Sequence, residues 1–195
     1  DGRRRESNPS WEAGAEMAVE PFVSIVIPCL NEEGRIGACL DSVFGQDWAR
    51  DRYEVIVADN GSKDRSVEIA REKGAAVVKA DRRGVAAARN AGVAAARGEI
   101  IVSIDADCVA APGWLKGMVK GFDDPGIGCV AGAIEPLEEP ESSDLREFLI
   151  AKGHLSQEQH VEHTFLPHAA TANAAYRREV FGRIGLFDEE LRSGE

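Results

Sequence analysis

Ile100-Ile101-Val102-Ser103-Ile104-Asp105-Ala106-Asp107-Cys108 is an apolar run that stops abruptly at two acids. Its first five residues are mostly β-branched and barely alternate with polar ones. That pattern predicts a strand buried on both faces, as in a parallel sheet. Working outward, the runs at 22–27, 54–58, 75–78 and 127–130 carry the same reading. Between them lie helical patterns. Ile36, Cys39, Leu40, Val43 and Phe44 fall at i, i+3, i+4, i+7 and i+8. Ser62-Lys63-Asp64 reads as the start of a helix carrying Val67, Ile69 and Ala70. Residues 85–96 are alanine-rich with one interior glycine. Pro112-Gly113-Trp114-Leu115 opens another helix, with proline near a first turn where its missing N–H costs nothing. Strands alternating with helices predict an α/β fold: a mostly parallel central sheet flanked by helices, in a Rossmann-like α/β/α sandwich.

The rhythm has margins. Residues 1–20 show no periodicity and read as a disordered tail, with Met17 a candidate natural start. Residues 21–135 carry the strand–helix repeat. Residues 136–195 form a second part: an acidic, proline-containing loop to 143, a helix over 145–160, an extended segment over 168–176 and a short helix over 177–184. The chain stops at Arg192-Ser193-Gly194-Glu195 with no terminating pattern, so the second part reads as cut.

A chain of 195 residues buries roughly two-thirds of its unfolded surface and needs no disulfide or metal for its core. With 23 basic and 34 acidic residues the formal charge is −11. Such a chain is a poor partner for nucleic acid, which demands a basic face, and is repelled by anionic lipid. It shows no spanning apolar stretch. Cys29, Cys39, Cys108 and Cys129 form no C-x-x-C pair and read as packing thiols of a reducing compartment. The expected location is the cytoplasm or the cytoplasmic face of a membrane. A phosphorylated ligand would require a metal ion or local cations to offset the acidity.

In an open α/β sheet, ligands bind beyond the carboxyl ends of the strands. There the sequence places Pro28-Cys29-Leu30-Asn31-Glu32-Glu33, Asp59-Asn60-Gly61-Ser62, Asp81-Arg82-Arg83-Gly84 and Asp105-Ala106-Asp107. No G-x-G-x-x-G follows the first strand, and no phosphate-binding G-x-x-x-x-G-K-[ST] occurs, so no glycine loop cradles phosphate. Asp105 and Asp107, at i and i+2 of an extended chain, would point the same way. Such a pair suits Mg²⁺ or Mn²⁺, which take one or two carboxylates and leave the remaining positions to water and phosphate. A solvated turn is the bland alternative. Asp59 reads equally as a turn residue or a ligand contact, with Ser62 or Asp64 free to cap the next helix. His160 and His163 lack a further ligand at metal spacing and read as a solvated helical face.

Four motifs in register, Val23-Ser24-Ile25-Val26-Ile27-Pro28 with Asn31-Glu32, Asp59 with Gly61-Ser62 and Asp64, Gly84 with Ala88-Arg89-Asn90 and Gly92, and Asp105 with Asp107, resemble the family-2 glycosyltransferases of GT-A fold. The stretch from Ala172-Asn173-Ala174-Ala175 through Phe187-Asp188-Glu189 to Leu191 is similar to that family's acceptor-side segment. The resemblance implies transfer of a sugar from a nucleotide diphosphate-sugar, a UDP-sugar foremost, to an acceptor hydroxyl with inversion. It implies that 21–135 binds the donor and 136–195 faces the acceptor. By that resemblance Pro28, Asn31, Glu32 and Asp59 hold the nucleoside, Arg89 contacts the nucleotide, Asp105 serves ribose and metal, Asp107 binds Mn²⁺ or Mg²⁺, and Asn173 lies on the acceptor side. The acceptor class stays open among saccharide, lipid and small molecule. The family's general base is usually the second acid of a Glu-Asp pair. Glu195 matches the first acid, and the chain ends there; His168 and Asp188 are the next candidates. Two other readings compete: a nucleotide-sugar binding module without turnover, and a nucleotidyltransferase. The latter should carry a basic glycine-rich first loop, and residues 28–33 are neither.

Overall fold

The computed structural model describes residues 20–135 and 170–190. The expectations for the tail, the 136–143 loop, the 145–160 helix, His160, His163, His168 and Glu195 lie outside the described residues.

Six strands form one sheet in the order β3-β2-β1-β4-β6-β5. They are β1 (Val23–Cys29), β2 (Tyr53–Asp59), β3 (Ala76–Lys79), β4 (Ile100–Ile104), β5 (Cys129–Ala131) and β6 (Asn173–Arg177). The helices are α1 (Ile36–Phe44), α2 (Ser66–Glu72), α3 (Val85–Ala95), α4 (Trp114–Lys120) and α5 (Arg178–Ile184), with a 3₁₀ turn at Arg50–Arg52. Strands β3, β2, β1 and β4 run parallel. Strand β6 lies antiparallel to both β4 and β5. The sheet is therefore mixed, and 127–130 departs from expectation: its strand is Cys129–Ala131, on an antiparallel edge. Strand β3 departs too. It ends the sheet, with Ala76 and Lys79 exposed and Val77 and Val78 half-buried, because no strand among the described residues pairs its outer side.

The central strands follow the expectation. Every residue of β1 and β4 is buried. Side-chain parity sends them to two faces. Val23, Ile25 and Ile27 join Val55, Val57, Val102 and Ile104 against Ile36, Cys39, Leu40 and Val43 of α1, and Leu115 and Met118 of α4. Val26, Ile56 and Ile101 pack on the opposite face against Val93 and Ala96. Deleting a fully buried Ile25 or Leu40 side chain to alanine would cost ~2–5 kcal/mol.

Alanines decide how close α3 approaches. Ala87 and Ala88 meet Ala58 and Ala80 in a cluster of small residues. Gly92 lies so near Val26 that an added Cβ would collide with its side chain. The interior glycine is there for helix–sheet packing, which outweighs its helix cost of roughly 1 kcal/mol.

Candidate functional site

Parity along β4 continues into the turn that follows it. Ile100, Val102 and Ile104 face α1, so Ser103 and Asp105 face α3. The expected extended geometry of Asp105-Ala106-Asp107 does not form. The chain turns instead, with Cys108 N–H donating to the Asp105 carbonyl at 3.0 Å. Ala106 is buried in the α1-side core and anchors the turn. Asp105 and Asp107 nonetheless open on one cleft, because both flank that anchored alanine.

Arg89 comes from the close-packed face of α3. It is 4% exposed, and its Nη2 donates to Asp105 Oδ1 at 2.7 Å. Burial pushes the Asp105 carboxyl above its ordinary value; Arg89 pulls it partly back, and Asp107 adds to the rise. Asp107 is exposed. The Asp105 carboxylate is thus oriented from behind by a buried guanidinium, and a second carboxylate projects beside it. That donor set fits Mn²⁺ or Mg²⁺, which bind through one or two carboxylates and rely on substrate oxygens for the rest. Among the described residues no group of three or more acids, histidines or cysteines forms a closed metal cage.

The cleft measures about 190 Å³ and is open to solvent. Pro28 and Cys29 wall it from the end of β1, Leu30 and Glu32 from the first loop, Asn60 from the second, Val85 and Ala88 from α3, and Asp105 to Asp107 from the β4 turn. The first turn of α3 opens here, behind Gly84 at φ +127° and without a side-chain cap. Its free N–H groups and positive dipole end favour an anion. The sequence offered this signal only as Gly84 before an alanine-rich helix.

Of the expected donor contacts, Pro28, Glu32, Asp105 and Asp107 line the cleft, while Asn31, Asp59 and Arg89 are not among its lining residues; Asn31 is exposed and the other two are buried. Asn31 sits at φ +56°, the left-handed region that asparagine tolerates. Its Oδ1 accepts from Lys63 N–H at 2.8 Å, and its own N–H donates to Ser62 Oγ at 3.0 Å. Glu32 N–H donates to Ser66 Oγ at 2.7 Å and Glu33 N–H to Asp64 Oδ2 at 3.0 Å. The first two loops are therefore laced together. Helix α2 begins at Ser66 rather than at 62–64, and Asp64 Oδ1 accepts from Ser66 N–H at 3.0 Å at that start. Asp59 is 8% exposed and uses Oδ1 to accept from Ser62 N–H at 2.9 Å, so it serves the turn reading through one oxygen.

Asn60 reads in the sequence only as part of the turn after β2, with no role of its own. Its Nδ2 donates to the Arg82 carbonyl and its Oδ1 accepts from Gly84 N–H, both at 2.8 Å. It fixes the entry to α3. Asn173 pairs with Ile104 across the sheet, beside the Asp105 turn. Its Oδ1 accepts from Trp114 Nε1 at 2.8 Å and its Nδ2 donates to the Ala133 carbonyl at 2.7 Å. Asp188 accepts from Glu190 N–H at 2.9 Å. The four cysteines are free thiols. Burial pushes Cys39 and Cys108 up to about 12, which suits packing and not nucleophilic attack. Among the described residues no helix is long and apolar enough to cross a membrane.

With this geometry in hand, comparison with known proteins is direct. The profile described as glycosyl transferase family 2 matches residues 24–185. The glycosyltransferase AglE of Haloferax volcanii is 32% identical over 180 residues, which cover 89% of this chain and 58% of AglE. A mannosyltransferase from Pyrobaculum calidifontis, solved with GDP-Man and Mn²⁺, superposes with a TM-score of 0.70 at 27% identity over 93% of this chain and 51% of that one. Glucosyl-3-phosphoglycerate synthase from Mycobacterium tuberculosis, solved with Mn²⁺, UDP and glucosyl-3-phosphoglycerate, superposes at 0.59 with 26% identity over 85% of this chain and 67% of that one. The chain thus spans little more than half the length of AglE and of the mannosyltransferase.

Proposed function

The chain belongs to glycosyl transferase family 2, and from that premise we propose that it is the donor-binding part of a metal-assisted, inverting glycosyltransferase that uses a UDP-sugar. One observation carries the reading: the β4 turn presents Asp105 and Asp107 side by side in a cleft, with Asp105 held by the buried Arg89. The similar mannosyltransferase and synthase structures hold Mn²⁺ with a nucleotide-sugar or nucleotide, which supports the same use of this cleft.

Asp107, with Asp105, would hold Mn²⁺ or Mg²⁺. When bound, the ion supplies positive charge to the departing diphosphate, a Lewis-acid contribution of several kcal/mol. The chain's own residues do the rest. Arg89 fixes the Asp105 carboxylate so that it need not reorganise on binding. The uncapped first turn of α3 directs N–H groups at the same space. Pro28, Leu30 and the laced loop behind them wall the nucleoside, and the second oxygen of Asp59 is the acceptor for a base N–H. Inversion requires the acceptor hydroxyl to attack opposite the leaving diphosphate, with a carboxylate beyond Gly194 taking its proton. The acceptor is a saccharide, lipid or small-molecule hydroxyl.

A thermal-shift panel of nucleoside diphosphates with and without Mn²⁺ tests the donor side, followed by sugar transfer in the full-length protein. Stabilisation by UDP that requires Mn²⁺ is expected. Stabilisation by another base in preference to UDP would reassign the donor. Binding without transfer in the full-length protein would favour the binding-module reading.

A further inference from the structure

Helix α3 has a second polar side chain that the donor cleft does not use. Asn90 follows Arg89, so the two project about 100° apart around the helix. Arg89 reaches the Asp105 turn, while Asn90 reaches the segment after α5. It is 7% exposed. Its Oδ1 accepts from Phe187 N–H at 3.0 Å, and its Nδ2 donates both to the Phe187 carbonyl and to Glu189 Oε1, each at 2.9 Å. One amide thus reads both backbone groups of one residue, as a strand neighbour would. Asparagine is a mediocre helix former among the alanines of α3, and these bonds account for its presence. The strap closes on the other side as well. Glu189 Oε2 meets Arg82 Nη1 at 3.4 Å, and the Arg82 carbonyl is held by Asn60 of the cleft wall. That exposed ion pair is worth little; the amide bonds set the register.

We propose that Asn90 is a positioning residue, which registers the Phe187–Glu189 segment against the donor cleft through one turn of α3. This inference rests on the proposed transferase reading. The strap lies six residues before Glu195 in the sequence, within the stretch that resembles an acceptor-side segment, so its register bears on the acceptor side and not on the Arg89–Asp105 pair. Loss of that register would disturb the acceptor side and leave the donor contacts in place, since the Arg89–Asp105 bond is made from a different side of α3 than the bonds of Asn90.

The test uses the full-length natural protein. Asn90→Asp keeps the size and the acceptor for Phe187 N–H. It removes both donated bonds and sets a carboxylate against Glu189. Mn²⁺-dependent UDP binding and donor KM should stay within about threefold of the parent. The kcat for transfer should fall on the order of 100-fold, the usual penalty for misplacing reacting groups by about 1 Å. Hydrolysis of the donor by water, which needs no acceptor register, should fall much less, so the ratio of transfer to hydrolysis drops. Adding Glu189→Gln to Asn90→Asp restores a donor–acceptor pair between the two side chains and should recover about tenfold of the lost kcat. A fall in donor affinity that matches the fall in kcat would make Asn90 part of the donor site or of the fold alone, and would overturn the inference. So would an unchanged transfer rate, or no recovery in the double variant. If the unsubstituted protein binds nucleotide but transfers nothing, the transferase reading fails first and this one with it; if it transfers and Asn90→Asp does so equally well, only this one fails.

Discussion

At the amino end of the sheet Glu54 lies beneath a lattice of donors; at the carboxyl end Asp105 has one donor and a competing carboxylate. Ser24 Oγ donates to Glu54 Oε1 at 2.6 Å, and the N–H and Nε of Arg97 donate to its two oxygens at 2.7 and 2.9 Å. Ser24 also accepts from Gly98 N–H at 2.7 Å, and Arg178 donates to the Gly98 and Ala96 carbonyls. Every member of that network finds its partners inside the protein. Burial raises Glu54, but the bonds from Ser24 and Arg97 outweigh it and hold the carboxyl below its ordinary value. Asp105 moves the other way: burial and Asp107 win over Arg89. Two carboxylates at opposite ends of parallel strands therefore play opposite parts. One is satisfied by the fold, and the other is kept short of positive charge, the condition in which a cation or a cation-bearing ligand gains most.

The largest effect expected from this contrast is at Asp107. Asp107→Ala should weaken Mn²⁺-dependent binding of UDP on the order of 100-fold or more, because the charge neutralisation at stake is worth several kcal/mol. Stability should change by no more than about 0.5 kcal/mol, as for other exposed side chains. Isothermal calorimetry beside chemical denaturation reads both. A variant that unfolds, or that binds UDP equally well without metal, would erase the difference between the two ends.

The opposite profile is expected at Ser24, which is fully buried. Ser24→Ala leaves the Gly98 N–H without its acceptor and should cost ~1–3 kcal/mol in urea denaturation, the price of an unsatisfied buried group. Nucleotide affinity should be unchanged. If affinity fell in step with stability, the two ends would be one cooperative unit rather than a scaffold and a site.

Much of this division could be read before the structure. The buried central strands were visible as runs of β-branched residues, and the carboxyl-end acids as the residues that follow each run. What was not visible has physical causes. An antiparallel return such as β6 needs partners far away in sequence, and its small residues, Asn173-Ala174-Ala175, carry no period that gives direction. Edge position is a property of neighbours, so 75–78 looked as buried as 100–104. The lining of the candidate cleft was legible in residue type but not in division of labour. Asn31 and Asp59 have the chemistry of ligand contacts, yet their bonds to Lys63 and Ser62 show that each also builds a loop. Asn60 and Asn90 stand inside sequence motifs, but the role of each was hidden, because a side chain that satisfies distant backbone groups is recognised only once those groups are near it.

Asp59 tests the boundary between the two roles. Asp59→Asn keeps an oxygen for Ser62 N–H and removes the charge. UDP affinity should fall by about tenfold, the value of a hydrogen bond to a charged group, and the denaturation midpoint should hold. Unchanged affinity and base preference would make Asp59 a turn residue only, and the site would begin at Pro28 and Asp105.

The smallest effect is the acid dependence of the amino end. A carboxylate whose folded-state value lies below its unfolded one binds its proton more weakly when folded. Its contribution is complete above the unfolded value, about 4.3 for glutamate, and is lost as pH falls through the lower folded value. Glu54 is such a group. The stability difference between the parent and Glu54→Gln should therefore be constant from neutral pH down to about pH 5, and then shrink as the pH drops below about 4. Urea midpoints measured at matched ionic strength across that range read it directly. Ser24 Oγ can donate to the introduced amide oxygen, but Arg97 loses its charged partner. Ser24 is the foremost of the groups that lower Glu54 and Arg97 follows it, so Arg97→Gln should reduce the same difference without abolishing it. A difference that grows as the pH falls would mean that Glu54 is held above its unfolded value. The two carboxylates would then behave alike, and the contrast between the ends of the sheet would have to rest on geometry alone.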